Sequence, residues 1–227
     1  MILSLETATN ICSVSFLDAE GNIHEKRLER RGSHSEYLFL FIRELMAENN
    51  FQINDLDAVL VSNGPGSYTG LRIVASAVKG LLFAHNVDLY AANTLAGFAV
   101  GGIELLKRRL VPGDQFFENS IHAVINARRS HLYHQQFMFK DKLEAGTQSQ
   151  ILDLSDVEKM IKPGDIIVGT GIERLSESSR KETNQVGLKA ITADSLIKLF
   201  SSDSREAFFI KTTAEKLESN YISSSQV

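Results

Sequence analysis

Ala58-Val59-Leu60-Val61-Ser62-Asn63-Gly64-Pro65-Gly66-Ser67-Tyr68-Thr69-Gly70-Leu71-Arg72 is the stretch that decides the fold class. An apolar run of strand length passes through a glycine-rich turn into a helix expected over residues 69–84, the join of an α/β protein. On that helix Leu71, Val74, Ala75, Val78 and Leu82 share one face, while Ile73, Ala77 and Leu81 place apolar groups on another. A helix apolar on two faces is covered on two sides, either wholly inside its own domain or between its domain and a partner. Ala75, Ser76, Ala77 and Gly80 are small enough to let another helix come close.

Working outward, residues 2–5 and the alternating Cys12, Val14 and Phe16 read as strands, followed by a more polar strand over 23–30, together a β-meander. Next comes a helix capped by Ser33 or Ser35, with Glu36 completing a capping box. Its stripe is Leu38, Phe41, Ile42, Leu45 and Met46, and it ends near Asn49-Asn50. Downstream, a strand over 87–92 leads to a helix capped by Thr94, running towards Arg109 and kinked at Gly101-Gly102. Pro112-Gly113-Asp114 marks a boundary. Beyond it, residues 121–127 and 131–139 read as paired strands around Arg128-Arg129-Ser130. Short elements then alternate over 155–161, 165–168, 172–178 and 194–200, a helix covers 204–217, and 219–227 is a polar tail. The expectation is two α/β subdomains, a larger one over 1–110 and a smaller one over 111–227.

With 24 basic and 28 acidic side chains in 227 residues, the net charge of -4 argues against a general nucleic-acid binder. No apolar run reaches the ~20 residues of a membrane helix, and Met1-Ile2-Leu3-Ser4-Leu5-Glu6 offers no basic leader, so a cytoplasmic protein without membrane contact is expected. The single cysteine, Cys12, cannot form an internal disulfide, and its place in an alternating strand suggests a buried, inert thiol.

Three features could carry chemistry. Gly64, Gly66 and Gly70 sit between a strand and a helix, where backbone amides can approach a phosphate, but the loop has neither a GK[ST] ending nor G-x-G-x-x-G spacing, and glycines also serve tight turns. Glu6 and Thr7 lie in the first hairpin, where actin-like and hexokinase-like ATPases hold phosphates and metal; Arg128-Arg129 could be an anion clamp or a solvated basic turn. Glu6, Thr7, Gly64, Gly66 and Arg128 are thus the candidate nucleotide or anion pocket. A metal site is not expected: the residue four after His34 is Leu38, and His131 and His134, three apart on a strand, face opposite ways.

Ile2-Leu3-Ser4-Leu5-Glu6-Thr7, His34-Ser35-Glu36 and above all residues 63–72 closely resemble the TsaB (YeaZ) family, accessory subunits of bacterial tRNA threonylcarbamoyladenosine biosynthesis. The resemblance is strong over residues 1–100; later, Asn126-Ala127-Arg128-Arg129 matches a D-A-R-R pattern with Asn126 in place of Asp, and Tyr221-Ile222 a terminal Tyr-Leu motif. It implies an α/β chain with the actin-like ATPase (ASKHA) fold, in two ribonuclease-H-like lobes, the second reduced and its last helix packing back on the first. The catalytic relative TsaD carries an H-x-x-x-H metal pair whose second histidine corresponds here to Leu38, so the resemblance implies no catalysis by this chain. It implies instead a scaffold that binds and activates a TsaD-like subunit, which transfers threonylcarbamoyl to the adenosine beside the anticodon of ANN-decoding tRNAs. A TsaE-like ATPase joins the pair, a homodimer forms when the chain is alone, tRNA is reached only indirectly, and ATP is used by the wider complex with no cofactor of the chain's own. The implied partner surface lies on helices 36–48 and 69–83, with Leu38, Phe41, Leu45, Leu71, Arg72, Ala75, Val78, Lys79 and Leu82 as its contacts. Phe39, Leu40, Ile73 and Leu81 add apolar surface worth roughly 1.5–3 kcal/mol each when covered, before association costs. The rival readings are a stand-alone metalloprotease-like enzyme and an actin-like ATPase or sugar kinase.

Overall fold

The structure, a computed structural model, describes residues 1–108 and 119–218. Strands β1 (Ile2–Glu6), β2 (Ile11–Leu17) and β3 (Ile23–Glu29) form the expected antiparallel meander, followed by α1 (His34–Asn49). The chain returns through β4 (Ala58–Ser62), α2 (Tyr68–Leu81), β5 (Asp88–Ala92) and α3 (Thr94–Lys107). Both β4 and β5 run parallel to β1. A second meander consists of β6 (Ile121–Asn126), β7 (His131–Phe139) and β8 (Leu143–Ala145), with β9 (Gln150–Asp153) also pairing with β7. Then come α4 (Leu154–Met160), β10 (Ile166–Gly169), α5 (Glu177–Arg180) and β11 (Asn184–Val186), with β10 parallel to both β6 and β11. The chain continues through α6 (Ala193–Phe200), α7 (Arg205–Phe208) and β12 (Phe209–Thr212).

The order β3-β2-β1-β4-β5 in the first sheet recurs as β8-β7-β6-β10-β11 in the second, so the molecule is two ribonuclease-H-like units. The second unit is reduced in its helices: α4 and α5 have 7 and 4 residues against 16 and 14 in α1 and α2. On the first sheet, Leu3, Leu5, Val14, Phe16, Val59 and Val61 pack under Leu38, Ile42 and Leu45 of α1 and Val74 and Val78 of α2. The opposite face is covered by α6, which packs on β1, β2 and β4, while α3 packs on β6 and β10. As α3 and α6 also pack on each other, Leu60, Phe98, Ile103, Ile121, Leu196 and Leu199 belong to one continuous core. Polar ties reinforce it. The Ser13 hydroxyl accepts from Ala193 N–H (2.7 Å) and donates to Glu25 (2.7 Å), and Arg27 donates to the carbonyls of Ile191 (3.0 Å) and Leu188 (2.8 Å).

Several expectations need correction. Residues 204–217 are not one helix: α7 is a single turn, and β12 pairs antiparallel with β5 at the edge of the first sheet. Phe208 and Phe209 enter the shared core there, edge-on to Phe137 (5.7 Å) and Phe200 (5.1 Å), so burial overrides helix propensity. What returns to the first sheet is therefore α6 and a strand rather than a final helix. The Gly101-Gly102 pair does not interrupt α3; a Cβ at Gly101 would sit 1.9 Å from the Ala190 carbonyl oxygen, so that glycine permits close packing. Asn93, not Thr94, caps α3, accepting from Ala96 N–H (3.1 Å). At α1, Ser33 occupies the cap position without a side-chain cap, its hydroxyl turned to the Arg30 carbonyl (2.7 Å). Cys12 is buried, and burial with the nearby Glu6 pushes its thiol up to about 12. Pro112-Gly113-Asp114 and the tail with Tyr221-Ile222 lie outside the described residues. No helix among the described residues is long and apolar enough to cross a membrane.

Candidate functional site

The glycine turn closes onto the first hairpin instead of opening towards solvent. Ser67 N–H donates to the Ala8 carbonyl (2.7 Å), the Thr7 hydroxyl donates to the Gly70 carbonyl (2.9 Å), and Gly64 N–H donates to the Thr94 hydroxyl (2.9 Å). A Cβ at Gly70 would lie 1.9 Å from the Thr7 carbonyl oxygen, and one at Gly66 would lie 2.5 Å from that of Ala8. These glycines exist so that two backbones can touch. Glu6 is buried beneath them, its Oε1 accepting from Ala8 N–H (2.6 Å), and burial pushes its carboxyl up to about 7. Thr7 and Gly66 are thus engaged where hairpin meets turn, Gly64 is bonded to Thr94, and the Glu6 carboxyl is buried. Arg128 belongs to the β6–β7 turn, and its hydrogen bonds among the described residues are made within that hairpin.

His34 and Leu38 do not fit a metal pair. His34 is buried, with Nε2 2.7 Å from the Thr9 carbonyl oxygen and basicity lowered by burial, and Leu38 lies in the core under α1. Among the described residues no three His, Cys, Asp or Glu side chains converge in a way that could hold an ion.

An open groove of about 500 Å³ lies between α1 and α2, lined by Ser35, Phe39, Tyr68, Thr69, Arg72, Ile73, Ser76 and Ala77. Ser67 caps α2, accepting from Gly70 N–H (3.3 Å), which fixes the entry of the helix beside the hairpin. Phe39 is 50% exposed, Tyr68 53% and Phe83 80%, against an ordinary expectation that large aromatics are mostly covered. The Arg72 guanidinium stacks 3.9 Å from the Tyr68 ring centre, giving the groove a cationic wall.

The face expected to bind a partner needs redrawing. Leu38, Leu45, Leu71, Val78 and Leu82 are buried in the chain's own core and cannot reach another molecule. Phe41 and Ala75 are half-buried, while Arg72 and Lys79 are exposed. Ala77, expected on the second apolar face, is buried and floors the groove. The side chains that face outward include Phe39, Tyr68, Arg72, Ser76, Lys79 and Phe83, with Ile73 half-covered. Helical periodicity finds the stripe, and an exposed aromatic off that stripe is the signal that finds the opposite face.

Sequence reasoning missed a buried relay in the second sheet. His122 Nε2 lies 3.2 Å from Asp165 Oδ2 and His122 Nδ1 3.0 Å from His134 Nε2. In the tautomer in which His122 Nε2–H donates to Asp165, His122 Nδ1 accepts from His134, which leaves His134 Nδ1 as a buried acceptor without a hydrogen-bond partner among the described residues. Burial lowers the basicity of both rings, that of His134 to about 3 with His122 adding repulsion. The hairpin register, with Val124 opposite His134, places the two rings on one face; Asp165 comes from the loop before β10 and has no local signal.

Residues 29–197 match the family model described as TsaD, tRNA N6-adenosine threonylcarbamoyltransferase. A tRNA threonylcarbamoyladenosine biosynthesis protein TsaB of Haemophilus influenzae is 30% identical over 135 residues, 60% of this chain and 52% of that protein, so the match spans about half of that relative. A TsaB of Buchnera aphidicola (subspecies Baizongia pistaciae) is 24% identical over 213 residues, 89% of this chain and 90% of the relative. Among solved structures, YeaZ from Pseudomonas aeruginosa superposes with a TM-score of 0.75 at 22% identity, covering 97% of this chain and 99% of that one. The two-sheet architecture is that of the actin-like ATPase (ASKHA) fold.

Proposed function

Because the chain belongs to the TsaD-type family, in its TsaB (YeaZ) branch, we propose that it acts in tRNA threonylcarbamoyladenosine biosynthesis as a non-catalytic subunit. It docks on a TsaD-type subunit and activates that subunit for threonylcarbamoyl transfer. The observation that carries this is the groove between α1 and α2, rimmed by Phe39 and Tyr68 at half exposure. Covering such aromatics supplies contact energy that a solvent-facing helix pair would otherwise lack. Leu38 in the core and His34 bonded to Thr9 support assigning the chemistry to the partner. Alone, two copies pair through the same groove; in the full assembly a TsaE-like ATPase joins, ATP is used there, and the complex is cytoplasmic. Leu38 in place of a second histidine weighs against the stand-alone metalloprotease reading, and the glycine turn's contact with the first hairpin weighs against the ATPase or sugar-kinase one.

Reconstitution tests it. Mass analysis of nucleosides from a tRNA incubated with the TsaD-type and TsaE-type subunits, substrate and ATP should show modification only when this chain is added. Equal modification without the chain contradicts the proposal, as does modification by the chain alone.

A further inference from the structure

The turn between β6 and β7 holds charge in a conformation that its residues disfavour. Arg128 and Arg129 have φ of 71° and 47°, in the left-handed region where glycine or asparagine is the ordinary choice. The turn is held there from outside. Asn126 Oδ1 accepts from Arg128 N–H (3.0 Å) and from the Arg174 guanidinium (2.6 Å), which also donates to the Arg129 carbonyl. Three arginines thus meet at one hairpin turn of a chain whose net charge is -4, Arg174 by its guanidinium and Arg128 and Arg129 by their backbone. The neighbouring carboxylates have other partners: Asp153 takes the Ser130 hydroxyl (2.9 Å) and His131 (3.5 Å), and Glu173 pairs with Arg180 (3.5 Å). Among the described residues neither Arg128 nor Arg129 has an ion pair, and both are exposed. Two adjacent left-handed arginines, braced by a third and left without a counter-charge, make an arrangement in search of an anion.

We propose that this corner contacts the phosphodiester backbone of the RNA on which the complex acts, a local direct contact in place of the expected purely indirect one, and a claim that rests on the function proposed above. A guanidinium fork matches phosphate oxygens bidentately and reads no sequence, which suits a subunit that positions RNA while its partner does the chemistry. A nucleotide polyphosphate has the same chemistry but needs a cradle of free amides, and the glycine turn has its Gly64 and Ser67 amides bonded to Thr94 and Ala8. The contact is small: two phosphates at most for Arg128 and Arg129.

The test is fluorescence anisotropy of a labelled tRNA transcript, titrated with the chain bound to its TsaD-type subunit between 50 and 200 mM salt. Arg128→Glu with Arg129→Glu should weaken binding roughly tenfold and lower the slope of log affinity against log salt by about 1.5–2, two phosphate contacts' worth. Arg128→Lys with Arg129→Lys should recover most of the slope. Unchanged affinity and slope in a variant with a normal thermal melt overturn the proposal. So does a variant that loses ATP binding while holding RNA normally, which assigns the site to a nucleotide. Gel filtration of each variant with the TsaD-type subunit separates the two claims. If even the native chain fails to join that subunit, the proposed function falls, and the same titration on the chain alone at 50 mM salt decides the arginine corner.

Discussion

Gly70 shows how one residue sets the join on which the fold depends. With the Thr7 carbonyl oxygen 1.9 Å from where a Cβ would stand, Gly70→Ala must push α2 away from the first hairpin. Urea denaturation should show a loss of about 1–3 kcal/mol or more. Gly80→Ala, with nothing within 4 Å, should instead be neutral or stabilise by up to ~1 kcal/mol. The buried histidines make a pH-dependent contribution. His134 is held near 3 in the fold against an ordinary 6.5, so below about pH 6.5 the unfolded chain binds a proton that the folded chain refuses. That contribution is complete at neutral pH and is lost as the pH falls. Glu6 works the other way: raised to about 7, it favours the fold at low pH and loses that contribution as pH rises from about 4.5 to 7. His134→Leu should therefore reduce the acid-side loss of stability by up to ~1.4 kcal/mol per pH unit, read as urea midpoints at pH 5, 6 and 7.5. At this scale the sequence was legible only in part. The glycines announced a turn, yet what they accommodate is the backbone of Thr7 and Ala8, some sixty residues away. Likewise Asp165 meets His122 across 43 residues, a distance no local pattern spans.

Elements were easier to read where their periodicity is set by one neighbour. The alternation of Cys12, Val14 and Phe16 and the stripe of Leu38, Ile42 and Leu45 both report the core of the first sheet, and both elements are where the pattern placed them. The edge strand β12, Phe209-Ile210-Lys211-Thr212, carries no such signature, because four residues at an edge are defined by the partner β5 and by the aromatics of α6 and β7 beside Phe209 and Phe208. On α2 the pattern found the buried stripe but not which remaining face is open. Ala77 faces inward and Ser76 outward, so Arg at the two positions should behave differently. Ala77→Arg buries a charge and should lower the melting temperature by several degrees or prevent folding. Ser76→Arg should melt like the native chain, and differential scanning calorimetry distinguishes the two.

At the scale of the whole molecule, the repeated strand order makes two similar sheets, and α3 with α6 makes them one body. The repeat was only faintly visible beforehand, since strand order depends on long-range pairing and the second unit lacks long helices. Arg27 reaches across to the Ile191 and Leu188 carbonyls, so Arg27→Met should destabilise by about 1–3 kcal/mol in chemical denaturation while leaving the α1–α2 groove untouched. That separation matters because the function proposed for the molecule needs the groove to be free and the rest to be rigid. Isothermal titration of the TsaD-type subunit with the native chain and with a Phe39→Asp, Ser76→Arg variant addresses it head-on, both substitutions lying on the exposed rim. Saturable one-to-one binding by the native chain, with affinity at least a hundredfold weaker in an equally stable variant, is the expected result. Equal affinity of the two proteins would show that the groove between α1 and α2 is not where the partner sits.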